Sequence, residues 1–335
     1  MSKNDPNISD SVDTKKVSEV LQSETGGRAL TGPAATLLFV VPVCWSLFQL
    51  WIASPLPYIF DFGILNSTES RSIHLAFATF LAFTAFPMVK RGRHLERIPL
   101  YDWVLAFAAA FAASYLFLFY DQLASRPGAP TTTDLVVALG GLVLLLEATR
   151  RALGLPLAIV ALVFIVYSLA GPYMPSVIAH KGASLSKLAS HQWLGTEGVF
   201  GVALGVSTSF VFLFVLFGAL LEKAGAGNYF IKIAYACLGH MRGGPAKAAV
   251  VSSGLSGIIS GSSIANVVTT GTFTIPLMKR VGFPAVKAGA VEVAASTNGQ
   301  LTPPVMGAAA FLMVEYVGIS YLEVIKHAIL PALIS

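Results

Sequence analysis

Ser262, Ser263, Asn266, Thr297, Asn298 and Thr302 are the side chains whose types and spacing could do chemistry. All are neutral oxygen donors. They fall in two polar breaks, Gly261-Ser262-Ser263-Ile264-Ala265-Asn266 and Ser296-Thr297-Asn298-Gly299-Gln300-Leu301-Thr302-Pro303-Pro304. Hard monovalent cations such as sodium prefer oxygen ligands. The first break lies inside Ala248–Met278, 31 residues without a charge. Backbone that leaves a helix at membrane depth is tolerated only where it is buried or lines a cavity. Two such breaks close together point to an ion and substrate site between discontinuous helices.

The second break reads as an unwound middle between two half-helices. Ala285–Ala295 is helical and stops at Ser296–Gly299. Thr302 then caps a new helix whose first positions are Pro303 and Pro304, and which runs through Val305–Val317. A half-helix that starts there offers free N–H groups and the positive end of its dipole, suited to an anionic carboxylate. Asn298, Thr302 and Pro303 are therefore the candidate substrate contacts. Ser262, Ser263, Asn266, Thr297, Asn298, Gly299 and Thr302 are the candidate cation ligands, and no other metal is expected. The alternative for either motif alone is a Pro/Gly kink between packed helices.

The elements that position these residues follow from length and charge. A straight helix through 248–278 would be about 47 Å long at the usual rise, against a hydrocarbon core of about 30 Å. Gly254, Gly257 and Gly261 weaken a helix in its middle. Lys247 precedes the stretch and Lys279 and Arg280 follow it. Basic residues favour the cytoplasmic side, so both ends belong there and the segment is a re-entrant hairpin, 245–279. A single tilted helix with a Gly257-x-x-x-Gly261 packing face is the alternative.

The chain is 55% hydrophobic and 12% charged, where a soluble domain carries roughly 25% charged residues. It is therefore an all-α polytopic membrane protein. Apolar runs mark spans at Ala34–Ala53, Ile73–Val89, Trp103–Tyr120, Leu135–Leu146 (extending at both ends), Pro156–Ala170 and Val199–Leu221. With the N-terminus inside, the inside segments hold ten basic residues and the outside segments four, which supports a cytoplasmic N-terminus. Residues 1–33 read as a disordered tail without a cleavable signal. Segment 171–198, with Leu185, Leu188 and Trp193, reads either as an interfacial helix or as a surface loop. Cys44 and Cys237 read as small core residues.

The net charge of +5 needs no nucleic-acid partner. No Gly-x-x-x-x-Gly-Lys-Ser/Thr loop, Gly-x-Ser-x-Gly elbow or His-Glu-x-x-His pair occurs, so no enzymatic activity and no cofactor are expected.

The run Gly244-Pro245-Ala246-Lys247, Ser253-Gly254-Leu255-Ser256-Gly257, Gly261-Ser262-Ser263-x-Ala265-Asn266 and Ala295-Ser296-Thr297-Asn298-Gly299-Gln300-x-Thr302-Pro303-Pro304-x-Met306-Gly307 resembles the membrane subunit of tripartite ATP-independent periplasmic (TRAP) transporters. Glu147-Ala148-x-Arg150-Arg151 is similar to the TAXI-type branch, whose small and large membrane subunits are fused. The resemblance implies a tail (1–33), a four-span small-subunit part (34–152), scaffold spans (153–240) and the first half of an elevator-type transport domain (241–335), with hairpin 245–279 and broken helix 285–317. It implies a permease of the bacterial inner membrane coupled to sodium, with protons as the alternative. Organic acids would be delivered by a periplasmic substrate-binding protein. Ser262, Asn266, Asn298, Gly299 and Thr302 would line the first cation site.

The resemblance implies two hairpins and two broken helices, and one of each is found here. The expectation is that more sequence or another chain supplies the second half. The competing reading is a non-transporting scaffold subunit or an inactive fragment. Glu292, just before the second break, reads either as a proton-coupling group or as half of a snorkelling pair with Lys287. His74 and His240 read as interfacial, Glu315 as a span end, and Glu147 as a structural partner of Arg150 or Arg151.

Overall fold

A computed structural model describes residues 27, 28, 30, 32–89, 97–304 and 306–335. The expected disorder of the tail and the basic cluster Lys90, Arg91 and Arg93 lie mostly outside these residues. All regular structure among the described residues is helical. The longer helices are numbered α1 (Pro33–Ala53), α2 (Ser67–Ala85), α3 (Leu100–Leu118), α4 (Thr132–Leu153) and α5 (Leu155–Ala170). They continue with α6 (Phe212–Lys223), α7 (Ala226–Leu238), α8 (Gly244–Ser260), α9 (Ser263–Arg280), α10 (Ala285–Gly299), α11 (Ala308–Val317) and α12 (Tyr321–Ile334).

Among the described residues, five helices are long and apolar enough to cross a membrane: α1, α3, α4, Leu155–Tyr173 and Val202–Lys223. Only 6% of the apolar window is buried in α1, and 6% in Leu155–Tyr173. Helices this apolar and this unburied need lipid as their solvent. The chain forms two compact units, one ending at Ser209 and one beginning at Phe210.

The first unit is built on α2, α3 and α4. Asn66 and Thr131 start α2 and α4 with capping boxes, satisfying N–H groups that the first turn leaves free. Small residues carry the packing: Ala106, Ala109, Ala112 and Ala113 on α3 and Ala138 on α4 are buried, so backbones approach closely. Trp193 fills the space beside Gly141, where a β-carbon would stand 2.3 Å from its ring, and donates to the carbonyl of Ala112 at 3.1 Å. Segment 171–198 is thus anchored to the first unit. Its short helix Leu185–Ala189 buries Leu188, and the following turn buries Trp193.

At one end of this unit Asp102, fully buried, accepts from Arg28 and from Arg151, the latter at 2.6 Å. Arg151 also bonds Glu147 at 2.8 Å and lies over the Phe83 ring. Glu147 is thus the structural partner it was expected to be, bonded to Arg150 as well. The three segments joined here, before α1, at the start of α3 and at the end of α4, are those the charge pattern puts on one side of the membrane. His74 departs from expectation: it is buried within α2, bonded to Gln49 and Ser207, because α1 brings a polar Gln49 against it. Cys44 and Cys237 are both exposed and free, since helices facing lipid turn small apolar residues outward.

In the second unit α8 and α9 fold back on each other. In one continuous helix Ser253 and Asn266 would be about 20 Å apart; here they are hydrogen-bonded at 2.7 Å. The turn needs only Gly261 and Ser262. Gly261 takes a left-handed φ of 56° and donates to Gly257, a glycine end to a helix. Phe214, Phe311 and Tyr321 stack α6, α11 and α12 together, with centroids 4.9 and 5.1 Å apart.

Candidate functional site

The hairpin places its polar residues against α10. Gly257 and Gly299 meet backbone to backbone, and a β-carbon on Gly257 would stand 2.3 Å from the Gly299 Cα. A β-carbon on Gly299 would stand 3.3 Å from the Asn266 amide nitrogen. The two breaks also adjoin, since one on Gly307 would be 3.7 Å from the Gly261 carbonyl oxygen. The residues that the sequence assigned to one site, Asn266 and Gly299, are therefore neighbours.

Asn266 is fully buried. Its Nδ2 donates to the carbonyl of Ser253 at 2.7 Å and to its hydroxyl at 3.0 Å. Its Oδ1 is buried and accepts no hydrogen bond from the described residues. A buried acceptor without a donor costs free energy, and a cation bound at that oxygen removes the deficit. Ser262 and Ser263 are half-buried at the turn, and Ser262 O accepts from the Asn266 N–H at 3.0 Å.

The second break differs from expectation. Residues Ser296–Gly299 stay helical, and the described residues 300–304, Met306 and Gly307 are unwound. Thr302 does not cap the next helix; its hydroxyl donates back to Asn298 O at 3.0 Å. The half-helix α11 starts at Ala308, later than Val305, after Gly307 and without a side-chain cap. The physical reason is that Pro303 and Pro304 carry no N–H, so the chain regains helical bonding only beyond them. The Gly307 N–H instead bonds Gln300 O at 2.8 Å, closing the loop.

The remaining candidates scatter. Thr297 is exposed, its hydroxyl bonded to Val293 O. Asn298 donates to Ala332 O at 3.2 Å and accepts from the Ser335 hydroxyl at 2.6 Å, both on or beside α12. Thr302 and Pro303 are half-buried in the loop.

Glu292 is the residue that sequence reasoning left between two meanings. It is fully buried, while Lys287 is exposed, so the snorkelling pair does not form. Four hydroxyls surround the carboxylate: Ser253 on α8 at 3.2 Å, Thr270 and Thr274 on α9, and Ser296 on α10 at 3.3 Å. The signal was present as spacing. Asn266, Thr270 and Thr274 recur every four residues, one stripe along α9, and Glu292 and Ser296 do the same on α10.

All regular structure among the described residues is helical, and several apolar helices, a helical hairpin and an adjoining broken helix define the architecture of a multi-pass membrane protein. The chain belongs to the family described as the DctM component of the tripartite ATP-independent periplasmic transporter, whose model matches residues 140–335. It is similar to the C4-dicarboxylate TRAP transporter large permease protein DctM of Pseudomonas aeruginosa, 41% identical over 91 residues, 27% of this chain and 21% of the relative. The like-named protein of Rhodobacter capsulatus is 36% identical over 91 residues, 27% of this chain and 21% of the relative. That of Vibrio cholerae is 32% identical over 126 residues, 37% and 26% of the two chains. The chain thus spans about a fifth to a quarter of the length of these relatives. No solved structure matches.

Proposed function

We propose that this chain is the permease component of a cation-coupled secondary transporter for organic acids. It works with a periplasmic substrate-binding protein in a bacterial inner membrane, its N-terminus cytoplasmic. The observation that carries the reading is the junction of the two breaks at Gly261 and Gly307, with the donorless Asn266 Oδ1 buried beside Gly299. Sodium is the proposed cation, and Asn266 Oδ1 its first ligand, with backbone carbonyls and Ser262 or Ser263 nearby. The uncapped start of α11 offers N–H groups to a substrate carboxylate, and the names of the relatives make a C4-dicarboxylate the first substrate to try. The resemblance further assigns 34–152 to a fused small-subunit part and gives the hairpin an elevator motion, completed by a second hairpin and broken helix.

The test is uptake of radiolabelled succinate by proteoliposomes holding the full gene product and its binding protein. An inward sodium gradient drives accumulation. Asn266→Ala raises the half-saturating sodium concentration by about tenfold, the equivalent of one lost ligand of about 1.4 kcal/mol. Uptake indifferent to sodium in the native protein sinks the sodium assignment.

A further inference from the structure

We propose that Glu292 is a proton-binding site, a second coupling-ion site beside the one at Asn266. The proposal rests on the permease reading for its purpose but not for its chemistry.

The carboxylate is fully buried between α8, α9 and α10. Among the described residues it has no ion pair. The charged groups on the elements packed around it stand elsewhere: Lys247 on α8, Lys279 and Arg280 on α9 and Lys287 on α10 are all exposed. On α7, Lys232 is exposed, and Tyr235, close enough to feel the Glu292 charge, gives its own hydroxyl to Pro245 O at 3.3 Å. A buried carboxylate without a cation is held either as an acid or by hydrogen-bond donors.

The hydroxyls around it serve both states. With Glu292 ionised, Thr270 donates to Oε1 and Thr274 to Oε2. Each threonine also has a second acceptor within reach, one turn back on its own helix. For Thr270 it is Asn266 O at 2.7 Å, and for Thr274 it is Thr270 O at 3.0 Å. When a proton arrives, an O–H bond forms on one carboxyl oxygen and the negative charge is cancelled. The two threonine hydroxyls rotate to the backbone carbonyls, and the new acid donates to the hydroxyl oxygen of Ser253 or Ser296. Release reverses each step, and water supplies and takes back the proton. Each threonine hydroxyl has an acceptor in both states, so charge can come and go without stranding these donors. Threonines that only braced α9 would need the carbonyl contacts alone.

The site is also wired to the cation candidate. Ser253, which donates toward Glu292, accepts from Asn266 Nδ2 at 3.0 Å. Losing the charge on Glu292 is therefore felt one hydrogen bond away from the oxygen proposed for sodium.

The experiment is a pH titration of the full chain in proteoliposomes, followed by infrared difference spectroscopy in the carboxylic-acid carbonyl region. A band that appears and disappears reversibly with pH is expected in the native chain. It is lost in Glu292→Gln and kept in Glu315→Gln, whose carboxyl is exposed. Thr274→Val removes a donor to the charged form and moves the midpoint upward by about one pH unit, a reading that survives should Glu292→Gln fail to fold. A band that persists unchanged in Glu292→Gln, or a Thr274→Val midpoint that does not move, overturns the proposal. In the uptake assay, one unit of inward pH gradient adds up to about tenfold to succinate accumulation, and Glu292→Gln loses that increment. An increment kept by Glu292→Gln overturns coupling through this residue. Titration at Glu292 without any uptake in the native protein upholds the proton site and overturns the permease reading instead.

Discussion

One methyl group decides whether the hairpin can lie on α10. A β-carbon at Gly257 would fall 2.3 Å from the Gly299 backbone, which has no side chain to move aside, whereas one at Gly254 meets nothing within 4 Å. Gly257→Ala is expected to destabilise by about 1–3 kcal/mol through overpacking. Gly254→Ala, in the same helix, is expected to be neutral or to stabilise by up to about 1 kcal/mol. Thermal unfolding of the two variants in detergent micelles measures the contrast, and equal melting points contradict the close contact. Asn266 and the small residues around it were legible in the sequence because they are polar or helix-breaking in an apolar run. Glu292 was visible as a charge, but its meaning was not. That meaning depends on which hydroxyls α8 and α9 turn toward it, and a single helix does not specify its neighbour's face.

At the scale of elements, the longest apolar helices could be read directly, since a run of about 20 residues without charge has few other uses. Their ends could not. The sequence placed Thr302 at a helix start on the strength of its residue type. In the structure its hydroxyl turns back to Asn298 O, while the loop closes by a Gly307–Gln300 backbone bond. Long-range backbone closure of this kind leaves no local signature. The buried cluster of Arg28, Asp102 and Arg151 ties three segments of the first unit in the same nonlocal way. Asp102→Ala removes the buried carboxylate that Arg28 and Arg151 share and is expected to cost about 3–5 kcal/mol. Arg150→Ala removes only a partly exposed pair with Glu147 and is expected to cost under about 1 kcal/mol. Chemical unfolding of the purified chain separates the two, and a mild Asp102→Ala shows that the cluster is not a tie.

For the molecule as a whole, the cluster makes a statement about sidedness. Three membrane-length helices, α3, α4 and α5, separate Arg97 from Lys181, both of them exposed. An odd number of crossings puts these residues on opposite faces. With Cys44 and Cys237 replaced by serine, Arg97→Cys and Lys181→Cys are expected to react with an impermeant thiol reagent from opposite sides of sealed vesicles. Labelling of both from one side removes one crossing from the topology. The helix that makes the last of these crossings has a further property. The α-helical part of α5 is 16 residues, about 24 Å at the usual rise, whereas α4 has 22 residues and about 33 Å. The shorter helix is also one of the two that turn almost every residue outward. The 3-10 turn Gly171–Tyr173 that continues it adds about 6 Å and brings the crossing to the hydrocarbon thickness of about 30 Å. This crossing therefore has no length to spare, and any tilt would leave the bilayer beside it thinner than its own average.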